Sequence, residues 1–434
     1  MSTFKGFNKK NVIYRVLRGV KRMAKNTFMD IRTIPYFYRN NRKPKDTNMP
    51  IKVAFLCQYI PAWNKFESIY RLMKESERFE PYIICVPSNI TNNKLVEQGN
   101  INNDTYDYFL NNGYADVINA LHEGNKWFEL ERFGFDYVFY TRPYNDFMPI
   151  EYMSDNVKEY TKICSLIYGM NMTEDILYVT MNTEFYKDVF VYFAETKCAM
   201  KMYKRKFPIT SLLGWRKVYF YGLPAFEQIL KDKEKKCSAW SFSKNTFRVL
   251  WTPRWTTAPN LGGTNFFMYY ESLIDYATKA FDIDFLVRPH PLAFDNFVKT
   301  GVMTQEQVEE YLEKIEKMPN MSLDKEKEYN ATIWNSSVLI TDISGFMPEY
   351  FVTGKPIIYC ASNMILTPAE HTELLLKGCY VSYGEEQTYE YLRQLKRGND
   401  PLKEKREEII TELFGENLNN STKQIVEEIY NLSV

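Results

Sequence analysis

Val338-Leu339-Ile340-Thr341-Asp342-Ile343-Ser344-Gly345-Phe346-Met347-Pro348-Glu349-Tyr350 passes from a short β-branched run through a polar turn to a helix start. The run Val338 to Ile340 suits a buried parallel strand. Asp342 or Ser344 is placed to cap a helix beginning near Phe346, with Gly345 permitting close backbone approach and Pro348 tolerated in the first turn. Such a strand delivers amide N–H groups and a hydroxyl to the C-terminal edge of a sheet, where an anion can sit. The alternative is a well-capped structural helix. A second strand, Phe285-Leu286-Val287, runs straight into Arg288-Pro289-His290-Pro291. Two strand ends of one sheet then face one crevice.

Working outward, the second half reads as an α/β series. Strands are expected at Arg248–Trp251, Asp284–Arg288, Val338–Thr341 and Pro356–Tyr359, with helices at Phe266–Ala280 and Thr304–Lys317. The first half opens as βαβ, with strands at Ile51–Cys57 and Tyr82–Pro87 around a helix at Phe66–Ser76. It continues through strands at Tyr137–Tyr140 and Ile163–Ile167, a helix at Gly124–Glu131, and a last strand near Val218–Tyr221. The charged run Lys231 to Lys236 marks a boundary. The expected architecture is therefore two Rossmann-like α/β domains facing a cleft, residues 49–235 and 236–434, preceded by a basic segment and linker over residues 1–48. The helical tail, ending at Thr422–Asn431, could cross back to the first domain.

In the N-terminal segment, Lys9, Lys10, Arg15, Arg18, Lys21, Arg22 and Lys25 flank apolar residues recurring at helical spacing, Val12, Ile13, Val16, Leu17, Val20, Met23 and Ala24. That pattern fits a helix on an anionic membrane surface, and fits equally a helix docked on its own domain with a solvated basic face.

A chain of 434 residues with 45% hydrophobic content can bury sizeable cores, and its net charge of +1 excludes a generally basic nucleic-acid binder. The seven cysteines are widely spaced and include no C-x-x-C pair, so a reducing cytoplasm is expected, with neither a disulfide framework nor a structural zinc. No run approaches a bilayer span and no signal peptide is recognisable. P-loop and H-E-x-x-H motifs are absent, as is carboxylate spacing suited to a metal. No cofactor is expected.

Three histidines are available for chemistry. His290 ends a strand beside Arg288, with two prolines fixing the backbone and hence the imidazole, whereas His122 and His371 lie in less constrained settings. Arg254, in Trp251-Thr252-Pro253-Arg254-Trp255, also follows a strand. Together Arg254, Arg288 and the amides after Ser344 could answer a diphosphate, at about 1.5–3 kcal/mol for each charge-assisted hydrogen bond. Either arginine could instead close a salt bridge at a sheet edge. Glu349, one turn into the helix, is placed to accept hydrogen bonds from a ribose or simply to stabilise the helix N-terminus. In the first half, the loops Thr141-Arg142-Pro143-Tyr144-Asn145-Asp146 and Tyr168-Gly169-Met170-Asn171 follow strands and would line a crevice, or serve as ordinary connections.

The order Gly222-Leu223-Pro224, Val249 to Trp255, Leu286 to Pro291, Leu339 to Gly345 and Asn420 to Glu427 resembles the CDP-glycerol glycerophosphotransferase family of teichoic-acid synthesis. The resemblance spans roughly residues 135 to 430. It implies a GT-B architecture with the nucleotide in the C-terminal half and an enzyme moving glycerol phosphate, or a related polyol phosphate, from CDP-glycerol to a hydroxyl of a lipid-linked or polymeric glycan. CMP leaves. The resemblance makes His290 the donor-site histidine, as base or as phosphate hydrogen-bond donor. Arg254, Arg288, Asp342, Ser344, Gly345 and Glu349 would surround the donor, and Arg142, Tyr144, Tyr168 and Asn171 the acceptor side. The family's Trp-His-Gly-Thr-Pro motif is replaced at Tyr168-Gly169-Met170-Asn171, which leaves the base unassigned. Two other readings remain open, a GT-B glycosyltransferase using a nucleotide sugar and a non-catalytic assembly protein docked on the inner membrane face through residues 1–45.

Overall fold

Short runs of Val, Ile, Phe and Tyr, buried on both faces, pair side by side into two parallel sheets in this computed structural model. It describes residues 9–41, 49–91, 94–95, 103–122, 126–181, 183–326, 328–361 and 366–434. The first sheet contains β1 (Ile51–Cys57), β2 (Phe79–Cys85), β3 (Val117–Asn119), β4 (Tyr137–Tyr140), β5 (Lys162–Leu166), β6 (Val191–Phe193) and β7 (Lys217–Tyr219), ordered β7-β6-β5-β4-β1-β2-β3. The second contains β8 (Arg248–Thr252), β9 (Asp284–Val287), β10 (Met321–Leu323), β11 (Val338–Thr341), β12 (Ile357–Cys360) and β13 (Tyr380–Ser382), ordered β10-β9-β8-β11-β12-β13.

Both sheets reverse their winding direction once, and those reversals locate the crevices. The first reverses between β1 and β4, where Leu56 pairs with Tyr140; the second does so between β8 and β11, where Thr252 pairs with Thr341. At such a point the flanking connections leave in opposite directions and open a space beyond the strand C-termini.

The helices used below are α1 (Lys9–Asn41), α2 (Glu67–Lys74), α3 (Lys197–Lys206), α4 (Pro208–Leu212), α5 (Phe346–Phe351), α6 (Glu370–Leu376) and α7 (Ser421–Asn431). Helix α7 returns to the first sheet and packs on α2, where Arg78 pairs with Glu427 at 2.6 Å. Tyr137 Oη also donates to Leu432 O at 3.2 Å.

Helix α1 docks through its C-terminal half. The buried Asp30 carboxylate accepts from the amides of Ile209 and Thr210 at 2.6 and 2.9 Å, holding the N-terminus of α4. Phe37 is fully buried under the Arg216 guanidinium, 4.0 Å from its ring. Residues 1–8, linker residues 42–48 and the side chains of Lys9 to Arg18 and of Arg22 lie outside the described residues.

Two sequence expectations are corrected. The helix expected over Gly124–Glu131 is replaced by a ribbon pairing Leu121–His122 with Lys126–Trp127, closed by Phe128 N donating to Ala120 O at 2.9 Å. Residues 123–125 lie outside the described residues, and a helix forms only over Leu130–Phe133. Neither Asp342 nor Ser344 caps α5 through its side chain, because Gly345 is the cap residue and Asp342 turns the other way.

Candidate functional site

The second crossing point is organised by Asp342. Its side chain is buried and accepts Arg254 N at 2.8 Å, Thr264 Oγ1 at 3.0 Å, and Asn265 N and Nδ2 at 3.1 Å each. Burial raises its pKa, and these four donors act against that. Among the described residues, the lone pairs of Asp342, expected near the donor, hold the loops after β8 and β11 together. Thr264 and Asn265 escaped the sequence reading, although Thr-Asn before the apolar run at Phe266 is a recognisable helix-start signal.

Arg254 extends from this hub. Its guanidinium donates to Ile343 O and, at 2.6 Å, to Leu261 O, while its Nε is buried without a hydrogen-bond partner among the described residues. Gly262 makes the route possible. At φ +100° it leaves the left-handed turn unstrained, and a Cβ there would lie 2.8 Å from Arg254 Cζ.

Ser344 Oγ is likewise buried and unpartnered among the described residues, and a Cβ on adjacent Gly345 would meet nothing within 4 Å. An unpartnered buried hydroxyl next to an exposed glycine of the turn is suited to a ligand oxygen that enters as the turn adjusts. Helix α5 spans only six residues, so the amides and hydroxyl of the turn matter more than any macrodipole.

His290 reaches the same edge from β9, on the other side of β8. Its N–H approaches Pro253 O at 3.4 Å, and Leu292 N donates to its Nδ1 at 3.2 Å. With Nδ1 accepting, the neutral ring carries its proton on Nε2. Burial against neighbours and the Arg254 charge hold its pKa below the usual value, although the residue keeps an exposed edge. Trp255 lies beside it, with ring centroids 6.2 Å apart.

Arg288 and Glu349 turn elsewhere. Arg288 Nη1 donates to the buried Asp324 at 2.6 Å and to Glu326 O at 3.0 Å, with its Cζ 4.8 Å from the Tyr329 ring centroid. Glu349 accepts Lys65 Nζ at 2.6 Å and Tyr329 Oη at 2.5 Å, one on each carboxylate oxygen. The expected phosphate and ribose roles would therefore compete with these protein contacts. Lys65 belongs to the first half, so this buried pair joins the two sheets. Burial works against the Lys65 charge, and Glu349 with Tyr329 more than offsets it, leaving the lysine above its usual range.

At the first crossing point, Arg142 lies among aromatic rings, with Cζ 3.4 Å from the Phe147 centroid and 5.2 Å from that of Tyr59, and its Nε is buried without a partner among the described residues. Its Nη1 reaches Gln58 Oε1 at 3.5 Å. Tyr144 and Tyr168 flank the cluster: their rings lie 6.1 Å from Phe147 and 6.4 Å from Tyr59 respectively. Burial, then Tyr144, pushes the Tyr168 phenol up to about 12. Asn171 sits where the halves touch. His371 Nε2 donates to Asn171 O at 2.7 Å, and Thr372 Oγ1 to Met172 O at 2.7 Å, fastening the loop after β5 to α6. Burial holds His371 down to about 4.

Glu195 and Lys65, each buried, were invisible to motif reading. Glu195 follows β6, accepts Tyr192 Oη at 2.9 Å, and is pushed up to about 7 by burial. An ionisable residue directly after an apolar strand was the available signal.

Among solved structures, the chain is similar to S. aureus MnaA in a co-structure with UDP, with TM-score 0.56 and 12% identity over 88% of this chain and 98% of that one. It is similar to UDP-GlcNAc 2-epimerase from Neisseria meningitidis bound to UDP-GlcNAc, with TM-score 0.56 and 15% identity over 88% and 100%. A histidine-to-asparagine variant of the wall teichoic acid polymerase TagF, soaked with CDPG, aligns with TM-score 0.54 and 13% identity over 98% of both chains. No protein-family model and no curated protein sequence matches the chain. The fold is GT-B, with two parallel α/β sheets.

Proposed function

We propose that this chain is a nucleotide-dependent transferase of cell-envelope polymer synthesis. It moves glycerol phosphate, or a related polyol phosphate, from CDP-glycerol to a hydroxyl of a lipid-linked or polymeric glycan. The observation carrying this reading is the unpartnered Ser344 Oγ, next to the exposed Gly345, on the strand edge that also presents Arg254 and His290. A chain aligned with TagF over nearly its whole length, with the motif order noted above, supports the choice of donor.

In this reading the diphosphate lies across the C-terminal edges of β8, β9 and β11. Ser344 Oγ and the turn amides face phosphate oxygens, and the buried Arg254 supplies positive potential from behind. His290, neutral with its proton on Nε2, donates a hydrogen bond to the distal phosphate. In that tautomer it cannot take up the acceptor's proton. The acceptor hydroxyl oxygen forms a bond to the distal phosphorus, the bond from that phosphorus to the bridging oxygen breaks with its electron pair going to the departing CMP, and the hydroxyl proton passes to the CMP phosphate or to water. Positioning and charge stabilisation provide the rate.

A second reading, a GT-B glycosyltransferase using a nucleotide sugar, is favoured by Tyr168-Gly169-Met170-Asn171 standing where the resembled family has its histidine. Thermal stabilisation by CDP-glycerol, CDP-ribitol and UDP-sugars separates the two. A melting-temperature rise and turnover with CDP-polyols are expected; stabilisation by UDP-sugars alone transfers the case to the second reading, and stabilisation by none overturns both.

A further inference from the structure

The loop after β1 and the helix after β11 are joined by a closed ring of three side chains. Lys65 Nζ donates to Glu349 Oε1 at 2.6 Å and to Tyr329 Oη at 2.9 Å, and Tyr329 Oη donates to Glu349 Oε2 at 2.5 Å. Lys65 and Glu349 are buried. Lys65 comes from the first half of the chain, Tyr329 and Glu349 from the second.

Each member leads to an edge already described. Lys65 ends a short 3₁₀ helix, Ile60–Lys65, that begins directly after Gln58 and Tyr59, the residues that contact Arg142. Glu349 lies one turn into α5, just after the turn whose Ser344 Oγ has no partner among the described residues. Tyr329 packs its ring against Phe346, the first residue of α5, with centroids 5.1 Å apart. Over the same ring, at 4.8 Å, stands Cζ of Arg288, two residues before His290. A shift of the Ser344-Gly345 turn therefore reaches Lys65 through one turn of α5 and one charge-assisted hydrogen bond. Apolar contact would let the two halves slide, whereas bonds of this length fix direction as well as distance. A buried ion pair commonly adds little over an apolar pair of the same volume, so stability alone does not account for it.

We infer that Lys65, Tyr329 and Glu349 are positioning residues, which transmit occupancy of the donor edge to the loop after β1 and hold Tyr59 and Arg142 in register with the donor. The inference rests on the proposed reading of the β8 and β11 edge as the nucleotide site, and it holds for a CDP-polyol or a UDP-sugar alike. A misplacement of about 1 Å between reacting groups can cost about a hundredfold in rate, which is what such a tie prevents.

The test is amide hydrogen exchange of the full chain, read by mass spectrometry, without nucleotide and with CDP-glycerol or, in parallel, UDP-GlcNAc. In the wild type, one of them should slow exchange over residues 342–346 and, by about fivefold or more, over residues 58–66. Lys65→Met with Glu349→Leu should keep the slowing at 342–346 and lose it at 58–66. Tyr329→Phe, which keeps the ring against Phe346, should leave about twofold at 58–66. Should the double variant fail to fold, full slowing at 58–66 in Tyr329→Phe overturns the inference. Slowing at 342–346 alone in the wild type, or slowing at 58–66 that survives in a folded double variant, overturns it and leaves the donor reading standing. Faster exchange at 58–66 with nucleotide means that the ribose takes Glu349 from Lys65, which overturns it equally. No change at 342–346 with either nucleotide overturns the functional reading and the inference with it.

Discussion

The two crossing points share a strand order and differ in what surrounds the polar atoms they leave unmatched. After β8 and β11, a saturated carboxylate, Asp342, holds the loops so that Ser344 Oγ, Arg254 Nε and the edge of His290 are left without protein partners among the described residues. After β1 and β4, the cation Arg142 is covered by Phe147 and Tyr59 and the nearby loop at Asn171 is fastened to α6, with Arg142 Nε and Asn171 Nδ2 also buried without partners among the described residues. One edge sets its unmatched atoms in a polar loop held by a carboxylate; the other sets them among aromatic rings. In the proposed function, the same topology provides a place for phosphates on one side and for a polyol or sugar face on the other.

Lys65 connects these edges, so breaking its pair has the largest expected effect. Lys65→Met leaves Glu349 buried without its cation and should destabilise by about 3–5 kcal/mol in urea denaturation, whereas Lys65→Met with Glu349→Leu should recover most of the loss. Next, His290→Ala and Ser344→Ala should each keep the native melting curve and lower CDP-polyol turnover by about a hundredfold to a thousandfold. Near-normal turnover in both would remove the contrast between the two edges.

Titration at the junction of the halves gives a third measurement. The unfolded chain protonates His371 below about 6.5, the folded chain only near 4, so this residue withdraws stability as pH falls through that window, by up to about 3 kcal/mol. Glu195 has the opposite sign. Folded, it keeps its proton to about 7, so stability is lost as pH rises from about 4.5 to 7. In melts across pH 4.5–7, His371→Gln should expose the falling Glu195 trend and Glu195→Gln the rising His371 trend. The smallest effect is expected from Arg142→Lys. It should weaken the stacked cation by no more than about 1 kcal/mol and leave nucleotide stabilisation unchanged.

Much of this was legible in the sequence because it is local. The run Val338–Thr341, the turn at Ser344-Gly345 and the proline-bound His290 carry their conformations in adjacent residues, and strands and edge positions follow. Partners distant in sequence were not legible. Glu349 read as a ribose acceptor because Lys65 stands 284 positions away, and Arg288 read as a free cation because Asp324 is 36 positions on. Strands β3, β6, β10 and β13, each three residues long, were too short for any alternation to register. The expected helix at Gly124–Glu131 failed for a related reason, since Trp127 and Phe128 fit a ribbon as readily as a helical face.

The return of α7 has a consequence for how the chain is made. A ribosome releases the first sheet long before Arg78 can meet Glu427 or Tyr137 can meet Leu432. The half synthesised first thus acquires this covering only after the second half has been made, and its surface around α2 waits, exposed, until α7 has left the ribosome.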